Sequence, residues 1–393
     1  MNFHNTRVMD FCEVIEGTTR FFVPMQDPSS AFPPGTARIF FNRRMELSRD
    51  ATILLASVLP VSNYLDAMGA TGARGLRMAH ECGIPVTIND RNAEAVALIR
   101  RNASHAGVTP EICEADVNCL LSTRKFDAVD IDPFGTPAPF IDSAARGTGR
   151  YLMVTATDTA PLCGAHKKAG MRRYFSSALN NEYHAETGLR VLLGFLVREI
   201  AKSDRGIEPL FCFAREHFVR LHVRLLYGAE RADRSMARMG YVMQCPICPS
   251  RTEQAGMLPL SGQCRECGTP LVPIGPLWTG EIQDMQLLDS MAAVIGDLRL
   301  GTGPDLAKLI AICRQELPLS SHYEYHRLAK RWGVSPPPLE EVISSLRDEG
   351  FSGSRAHYSG TALKTDAPLD EIRKSLLGRG SVRERVWIAV GTR

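Results

Sequence analysis

The chain has 393 residues, enough to bury a sizeable core and to hold two or three domains. Its 46 Lys and Arg against 43 Asp and Glu leave a net charge of +3, too mild to mark a polyanion binder or an acidic disordered chain by itself. The opening MNFHNTRVMD lacks the basic-then-apolar pattern of a secretory signal, and no apolar run reaches membrane-spanning length, so a cytoplasmic protein without a membrane partner is expected.

In chain order, Glu16-Gly17-Thr18-Thr19 followed by FFVP predicts a short hairpin, and DPSSAFPPG a loop. RIFFNRRMELSRDATILLASVL then passes from a basic stretch (Asn42 to Arg49) to helical apolar spacing over Ile53 to Leu59. The preceding loop is placed to close over a ligand, although its arginines also read as solvated side chains.

From Tyr64 strands and helices alternate. YLDAMGATGARGLRMAHECG reads as strand, glycine loop and helix, and Pro85 to Asn89 as a second strand ended by Asp90. An Ala-rich amphipathic helix over Asn92 to Ala106 follows. A third strand, Glu111 to Glu114, is ended by Asp116, and a fourth in FDAVDIDPFGTP by Asp132. Repeated βα units imply a parallel sheet covered on both faces. Acids are disfavoured inside buried strands, so each one marks an emerging edge.

Gly69 and Gly72 stand at three-residue spacing between a strand and a helix, which permits a tight turn and close backbone approach to a ligand. Asp90, 21 residues past Gly69, is suited to both hydroxyls of a ribose. This arrangement serves a nicotinamide dinucleotide or S-adenosyl-L-methionine. Asp116 suits the exocyclic amine of adenine, and Arg49 or Arg74 a methionine carboxylate, whereas the acid after the fourth strand has no place in hydride transfer. S-adenosylmethionine is favoured. Asp132 at a strand exit can accept hydrogen bonds from a nucleobase amine, orient it and take its proton, with Phe134 stacked on the base. Such a base must first leave its helix.

The motifs DAMGATGARG, IDPFGTP and TATDTAPLCGAH, with FFNRRMELSRD, NDRNAEA, ALNNEYHAETGLRVLL and RAHYSGTALKTDAP, together resemble the tRNA guanine-N2 dimethyltransferase (Trm1) family from about Glu16 to Pro368. The resemblance implies an enzyme that transfers two methyl groups in succession to guanine 26 of tRNA. It implies that Arg49, Arg74, Asp90, Asp116 and Val117 line the cofactor site, that Asp132 is the acid-base residue, and that Phe40 and Phe134 stack on the guanine. Where the family often has Asn-Pro-Arg this chain has Asn42-Arg43-Arg44, a departure that spares Arg49. Asp158, beyond a fifth strand, reads as an N-cap or turn residue or as a second catalytic acid. Two alternatives stand beside this reading: an adenine-amine methyltransferase on DNA or ribosomal RNA, and a non-catalytic, zinc-containing tRNA chaperone.

Residues 141–240 carry 16 Lys and Arg against 10 Asp and Glu, which fits a surface facing tRNA or an ordinary solvated face. Cys245-Pro-Ile-Cys248 and Cys264-Arg-Glu-Cys267, 15 residues apart, match a four-thiolate structural Zn2+ site, against reduced pairs or disulfides. The other seven cysteines read as reduced core residues.

Beyond Pro276, helices expected at Asp305–Glu316, Tyr325–Trp332 and Leu339–Glu349 resemble a winged helix. Arg327, Lys330, Arg331, Arg355, His357 and Lys364 are its candidate tRNA contacts, or a solvated face. The tail after Pro368 is Arg-rich. The expected architecture is therefore α/β: a Rossmann-like methyltransferase domain over 1–240, a zinc-ribbon-like module over 241–275 and a smaller, mainly helical α+β domain over 276–393, with a monomer as the default.

Overall fold

The computed structural model describes residues 10–25 and 38–377. The loop expected over 27–35 and the tail beyond 377 lie outside the described residues. Strands β1 (Phe11–Glu16) and β2 (Thr19–Pro24) form the N-terminal hairpin. The main sheet then takes β3 (Tyr64–Asp66), β4 (Val86–Asn89), β5 (Glu111–Cys113), β6 (Phe126–Ile131), β7 (Thr148–Ala156), β8 (Arg205–Pro209), β9 (Phe213–Arg215) and β10 (Phe218–Tyr227). Their order is β5-β4-β3-β6-β7-β10-β8, with β9 paired to β10. Strands β3 to β7 are parallel, and β10 is antiparallel to β7.

The chain steps outward from β3 through β4 to β5, then returns to lay β6 on the other side of β3. That reversal opens a crevice at the carboxyl ends of β3 and β6, where ligands of open α/β sheets bind. The expected α/β architecture is present.

Period-two alternation divides the core between the two faces of the sheet. Val129, Ile131, Leu152 and Val154 point to one side, where α4 (Val117–Thr123), α5 (Ile141–Gly147) and α8 (His184–Ala201) supply Leu120, Ile141 and Leu192. Ala128, Tyr151 and Met153 point to the other. There α1 (Glu46–Val58), α2 (Ala73–Glu81) and α3 (Ala93–Ala106) supply Leu54, Leu76 and Ile99. Each such fully buried Leu or Ile contributes about 2 kcal/mol. The edge of β2 is satisfied by buried Asn102 of α3, which accepts from the Phe22 N–H (2.8 Å) and donates to the Phe22 carbonyl (2.9 Å).

Three more antiparallel strands, β11 (Met239–Gln244), β12 (Arg251–Ala255) and β13 (Val272–Trp278), form a small sheet with β11 in the middle. The boundary expected near Pro276 falls inside β13. The following α10 (Met285–Val294) and α11 (Gly303–Cys313) place Leu288, Leu306 and Ile310 in the same apolar core as α1. A separate core begins only at Tyr325. It is built from α12 (Tyr325–Trp332), α13 (Leu339–Asp348), α14 (Leu369–Leu377) and a three-stranded sheet that includes β15 (Gly353–Arg355) and β16 (Ala362–Thr365).

A cluster of buried charges joins this α+β domain to the main body. Glu186 of α8 receives Arg190 (3.0 Å), His322 (2.9 Å) and Lys364 of β16 (2.7 Å). Lys364 also pairs with Glu316 at 2.8 Å, and Glu316 accepts from His357 at 2.7 Å. Burial would raise the Glu186 carboxyl, but the charges of Lys364 and Arg190 outweigh it and hold the group well below the usual carboxylate range. Lys364, expected among the tRNA contacts, is thus only 1 % exposed and belongs to the interface. Its partners lie up to 178 residues away. Arg327, Lys330 and Arg331 are exposed, and Arg355 pairs with Glu340.

Candidate active site

Four carboxylates meet at the crevice. Asp66 ends β3, and Asp90, Asp116 and Asp132 follow β4, β5 and β6. Two adjoining cavities of about 400 and 430 Å³ share Phe40, Met68, Ala70, Asp132, Pro133 and Phe134 as walls. Asp90, Asp116 and Val117 line the second cavity, and Arg49, Arg74 and Gly69 line the first.

In the second cavity Asp90 accepts the Ala70 N–H on Oδ2 and the Asn92 N–H on Oδ1, both at 2.9 Å. Each carboxylate oxygen has two acceptor sites, so both keep capacity for a diol. Asp116 caps α4 with Oδ1 alone, accepting from the N–H groups of Asn118 (2.9 Å) and Cys119 (3.2 Å), and buried Val117 follows it. The glycines between β3 and α2 serve chain packing first. A Cβ on Gly69 would lie 2.5 Å from the Ile88 side chain, and Gly72 takes φ +81°.

Both arginines read as ligand partners already hold carboxylates of the chain. Arg49 forks onto Glu16 at 2.6 and 2.5 Å, tying α1 to the end of β1. Arg74 donates through Nη2 to Asp132 Oδ2 (2.5 Å) and through Nη1 to Thr52 Oγ1 (2.7 Å) and the Ser48 carbonyl (3.1 Å). Its Nε lies 3.6 Å from Asp130. Burial opposes the Arg74 charge, but Asp130 and Asp132 outweigh it and raise its pKa. The arginines therefore shape the cavity walls by fixing acids in place.

Asp130 sits inside β6 with no exposure, where the sequence pattern predicts apolar residues. It is tolerated because Arg220 of β10 grips both its oxygens (2.8 and 2.5 Å) and the Tyr64 hydroxyl adds a third bond at 2.8 Å. Burial would raise its pKa, yet the charges of Arg220 and Arg74 hold it well below the carboxylate range. Arg220 also donates to Thr155 and Thr52. Asp66 differs: burial pushes its carboxyl up to about 7 against the pull of Arg74, and its one backbone donor is the Gly75 N–H at 2.9 Å.

The loop that carries Asp132 is pinned to the end of β7. Gly135 donates to Thr157 Oγ1 (2.9 Å) and accepts the Thr157 N–H (3.0 Å), at φ +93°. With Oδ2 held by Arg74, Asp132 Oδ1 makes no hydrogen bond to a described residue, and Asp132 lines the cavity. The rings of Phe40 and Phe134 meet edge to face, 5.2 Å apart. A base between two rings needs twice the stacking rise, about 7 Å. One ring must therefore turn for a base to enter, and Phe134, 72 % exposed, has the room.

Asp158 occupies the residue before the short α6 (Thr159–Leu162) without capping it. It accepts instead from Tyr174 (2.6 Å) and Arg173 (3.0 Å), both on α7 (Lys167–Tyr174).

Sequence reasoning missed Glu16, Asp130 and Arg220. The available signal was the pair of charges inside strand-like runs, FDAVDI and FVRLHV, each of which implies a partner.

The order of these pieces can be compared with known proteins. A family model described as N2,N2-dimethylguanosine tRNA methyltransferase matches residues 19–377. The chain belongs to this family. Among its curated relatives, the tRNA (guanine(26)-N(2))-dimethyltransferase of Methanoculleus marisnigri is 62% identical over 370 residues, covering 94% of this chain and 100% of the relative. That of Methanoregula boonei is 58% identical over 94% of this chain and 99% of its own. Trm1 from Pyrococcus horikoshii, solved with S-adenosyl-L-methionine, superposes with a TM-score of 0.84 at 32% identity, covering 93% of this chain and 99% of that one.

In this member of the dimethylguanosine methyltransferase family the two cysteine pairs converge. Cys245 Sγ lies 3.5 Å from Cys267 Sγ, and Cys248 Sγ lies 3.5 Å from Cys264 and 3.9 Å from Cys267. A tetrahedral zinc with Zn–S bonds near 2.3 Å holds its sulfurs about 3.8 Å apart, so the four thiols fit Zn2+. The N–H groups of Ile247 and Cys248 point at Cys245 Sγ (3.4 and 3.3 Å), which neutralises part of a thiolate's charge. Four sulfurs leave no open position, so an ion held there would be structural. Of the other cysteines Cys163, Cys212 and Cys313 are buried, but Cys119 is exposed. Cys264→Ser or a strong chelator is expected to lower the melting temperature by roughly 5 °C without changing the single-turnover methylation rate. Metal analysis of the untreated protein is expected to find one zinc per chain; none would rule the site out.

Proposed function

We propose that this protein transfers two methyl groups in succession from S-adenosyl-L-methionine to the exocyclic N2 amine of guanine 26 in tRNA. The observation that carries the reading is the meeting of Asp132, Phe134 and Phe40 with Asp90 and Asp116 across two joined cavities at the switch point of the sheet. Membership of the family and relatives of matching length supply the substrate and the atom.

The donor, when bound, supplies an electrophilic sulfonium methyl. Asp90 would hold its ribose hydroxyls, and Asp116 and Val117 would face its adenine. Asp66 and the loop at Gly69 and Gly72 would bound the methionine end together with Arg49 and Arg74. Phe40 and Phe134 would grip the target guanine by its faces.

Asp132 Oδ1 accepts an N–H of the guanine amine, draws its lone pair out of conjugation with the ring and aims it at the methyl carbon. Transfer of the methyl to the amine would leave an amine proton for this carboxylate to take. One N–H is left after the first transfer, so the same oxygen would serve the second once its proton has passed to water. Arg74 prevents the carboxylate from turning away.

The exposed Lys167, Lys168, Arg172 and Arg173 of α7, with Arg327, Lys330 and Arg331 of α12, supply positive charge suited to tRNA phosphates. No helix among the described residues is long and apolar enough to cross a membrane.

Nucleoside mass spectrometry tests the reading. Unmodified tRNA incubated with protein and S-adenosylmethionine is expected to yield N2-methylguanosine and then N2,N2-dimethylguanosine, lost when guanine 26 is replaced by adenine. Methylated adenosine, or no product with both ligands bound, would refute it.

A further inference from the structure

The hairpin between β9 and β10 turns on two residues, Glu216 and His217, because Arg215 pairs with Phe218. Glu216 takes φ +49°. Two-residue hairpins that need a left-handed first residue take glycine there, and a side chain in that region costs about 1 kcal/mol. This chain keeps a glutamate in the strained position. Its exposed side chain lines the same cavity as Asp132 and Phe134, and its carboxylate makes no hydrogen bond or ion pair with a described residue. The strand that follows carries Arg220, which holds Asp130 two residues before Asp132. The turn and the loop of Asp132 are thus fixed to one frame, with a carboxylate on each.

A guanine in this cavity offers two kinds of donor on its pairing edge, the N2 amine and the N1–H; adenine has an acceptor at N1. An ionised carboxylate accepts hydrogen bonds and donates none. With Asp132 engaged by the amine, the second carboxylate has the N1–H as its match. We propose that Glu216 accepts the N1–H of the target guanine and thereby sets the choice of base. The proposal rests on the reading of the cavity as a guanine N2 site. Strain at Glu216 follows the pattern of functional residues held in unfavourable backbone regions.

The test uses full-length tRNA with guanine or 2-aminopurine at position 26. 2-Aminopurine keeps the amine but has an acceptor at N1. The wild-type protein is expected to prefer guanine by about a hundredfold in kcat/KM, since a site built to hydrogen-bond a substrate N–H rejects the analogue lacking it. In Glu216→Gln the guanine reaction is expected to fall about tenfold, while the amide N–H meets the acceptor N1 and the guanine preference drops at least tenfold. Cofactor affinity is expected to be unchanged. Glu216→Gly, which relieves the backbone, is expected to fold normally and to lose the preference as well. An unaltered preference in both variants would overturn the proposal, and so would an equal loss on both bases. Asp132→Asn separates the two levels: if it keeps full turnover, the reading of the cavity fails rather than the role of Glu216.

Discussion

Asp132→Ala is expected to slow methyl transfer by about a thousandfold while leaving the dissociation constant for S-adenosylmethionine within a factor of two or three. Proton acceptance by a placed base contributes roughly a hundredfold to ten-thousandfold, and in the proposed role Asp132 would add the orientation of a weakly nucleophilic amine. The cofactor cavity survives the change, because Asp90 and Asp116 are fixed by backbone N–H groups and do not depend on Asp132. Alanine does leave Arg74 Nη2 without its 2.5 Å partner, so Asp132→Asn is the companion variant: it keeps an acceptor oxygen for Arg74 and removes the base. Single-turnover transfer to tRNA, read beside calorimetric binding of the cofactor, separates the two effects. Turnover within tenfold of wild type in the asparagine variant would take Asp132 out of the chemistry.

Arg220→Met is expected to destabilise the fold by about 3–5 kcal/mol, because it strands a buried carboxylate. Asp130 is fully buried and would keep only the Tyr64 hydroxyl and the more distant Arg74. Arg74 would be drawn toward Asp130 and away from Asp132, so methylation is expected to fall together with stability. The double variant Asp130→Leu with Arg220→Met removes both charges and is expected to recover much of the loss in denaturant unfolding. A single variant within 1 kcal/mol of wild type would show that the pair does not hold the strands.

Much of the site was legible because its signals are local. Asp90, Asp116 and Asp132 each end a strand, and a strand end is visible as an acid closing a short apolar run. The cysteine pairs are legible for the same reason, since each CxxC is a complete half-site. What escaped was pairing across the chain. The Arg49 pair escaped because nothing near it in sequence announces Glu16, 33 residues earlier. Asp130 was absorbed into an apolar strand because its partner is 90 residues away. Lys364 looked like a solvated cation until folding set it against Glu186 and Glu316. The packing of α10 and α11 was hidden for a related reason: they carry ordinary amphipathic patterns, and only the folded chain shows which core their apolar faces join.

The charge cluster at Glu186, Lys364, Glu316 and His357 also works as a caliper. A greasy interface tolerates small slides, whereas this one resists them, because any shift separates charges that are buried and paired. The gap between the basic helix of the small domain and the mouth of the cavity is therefore a fixed length. A substrate that touched both would be measured as it bound, and only a base at that distance from the held backbone would reach Asp132.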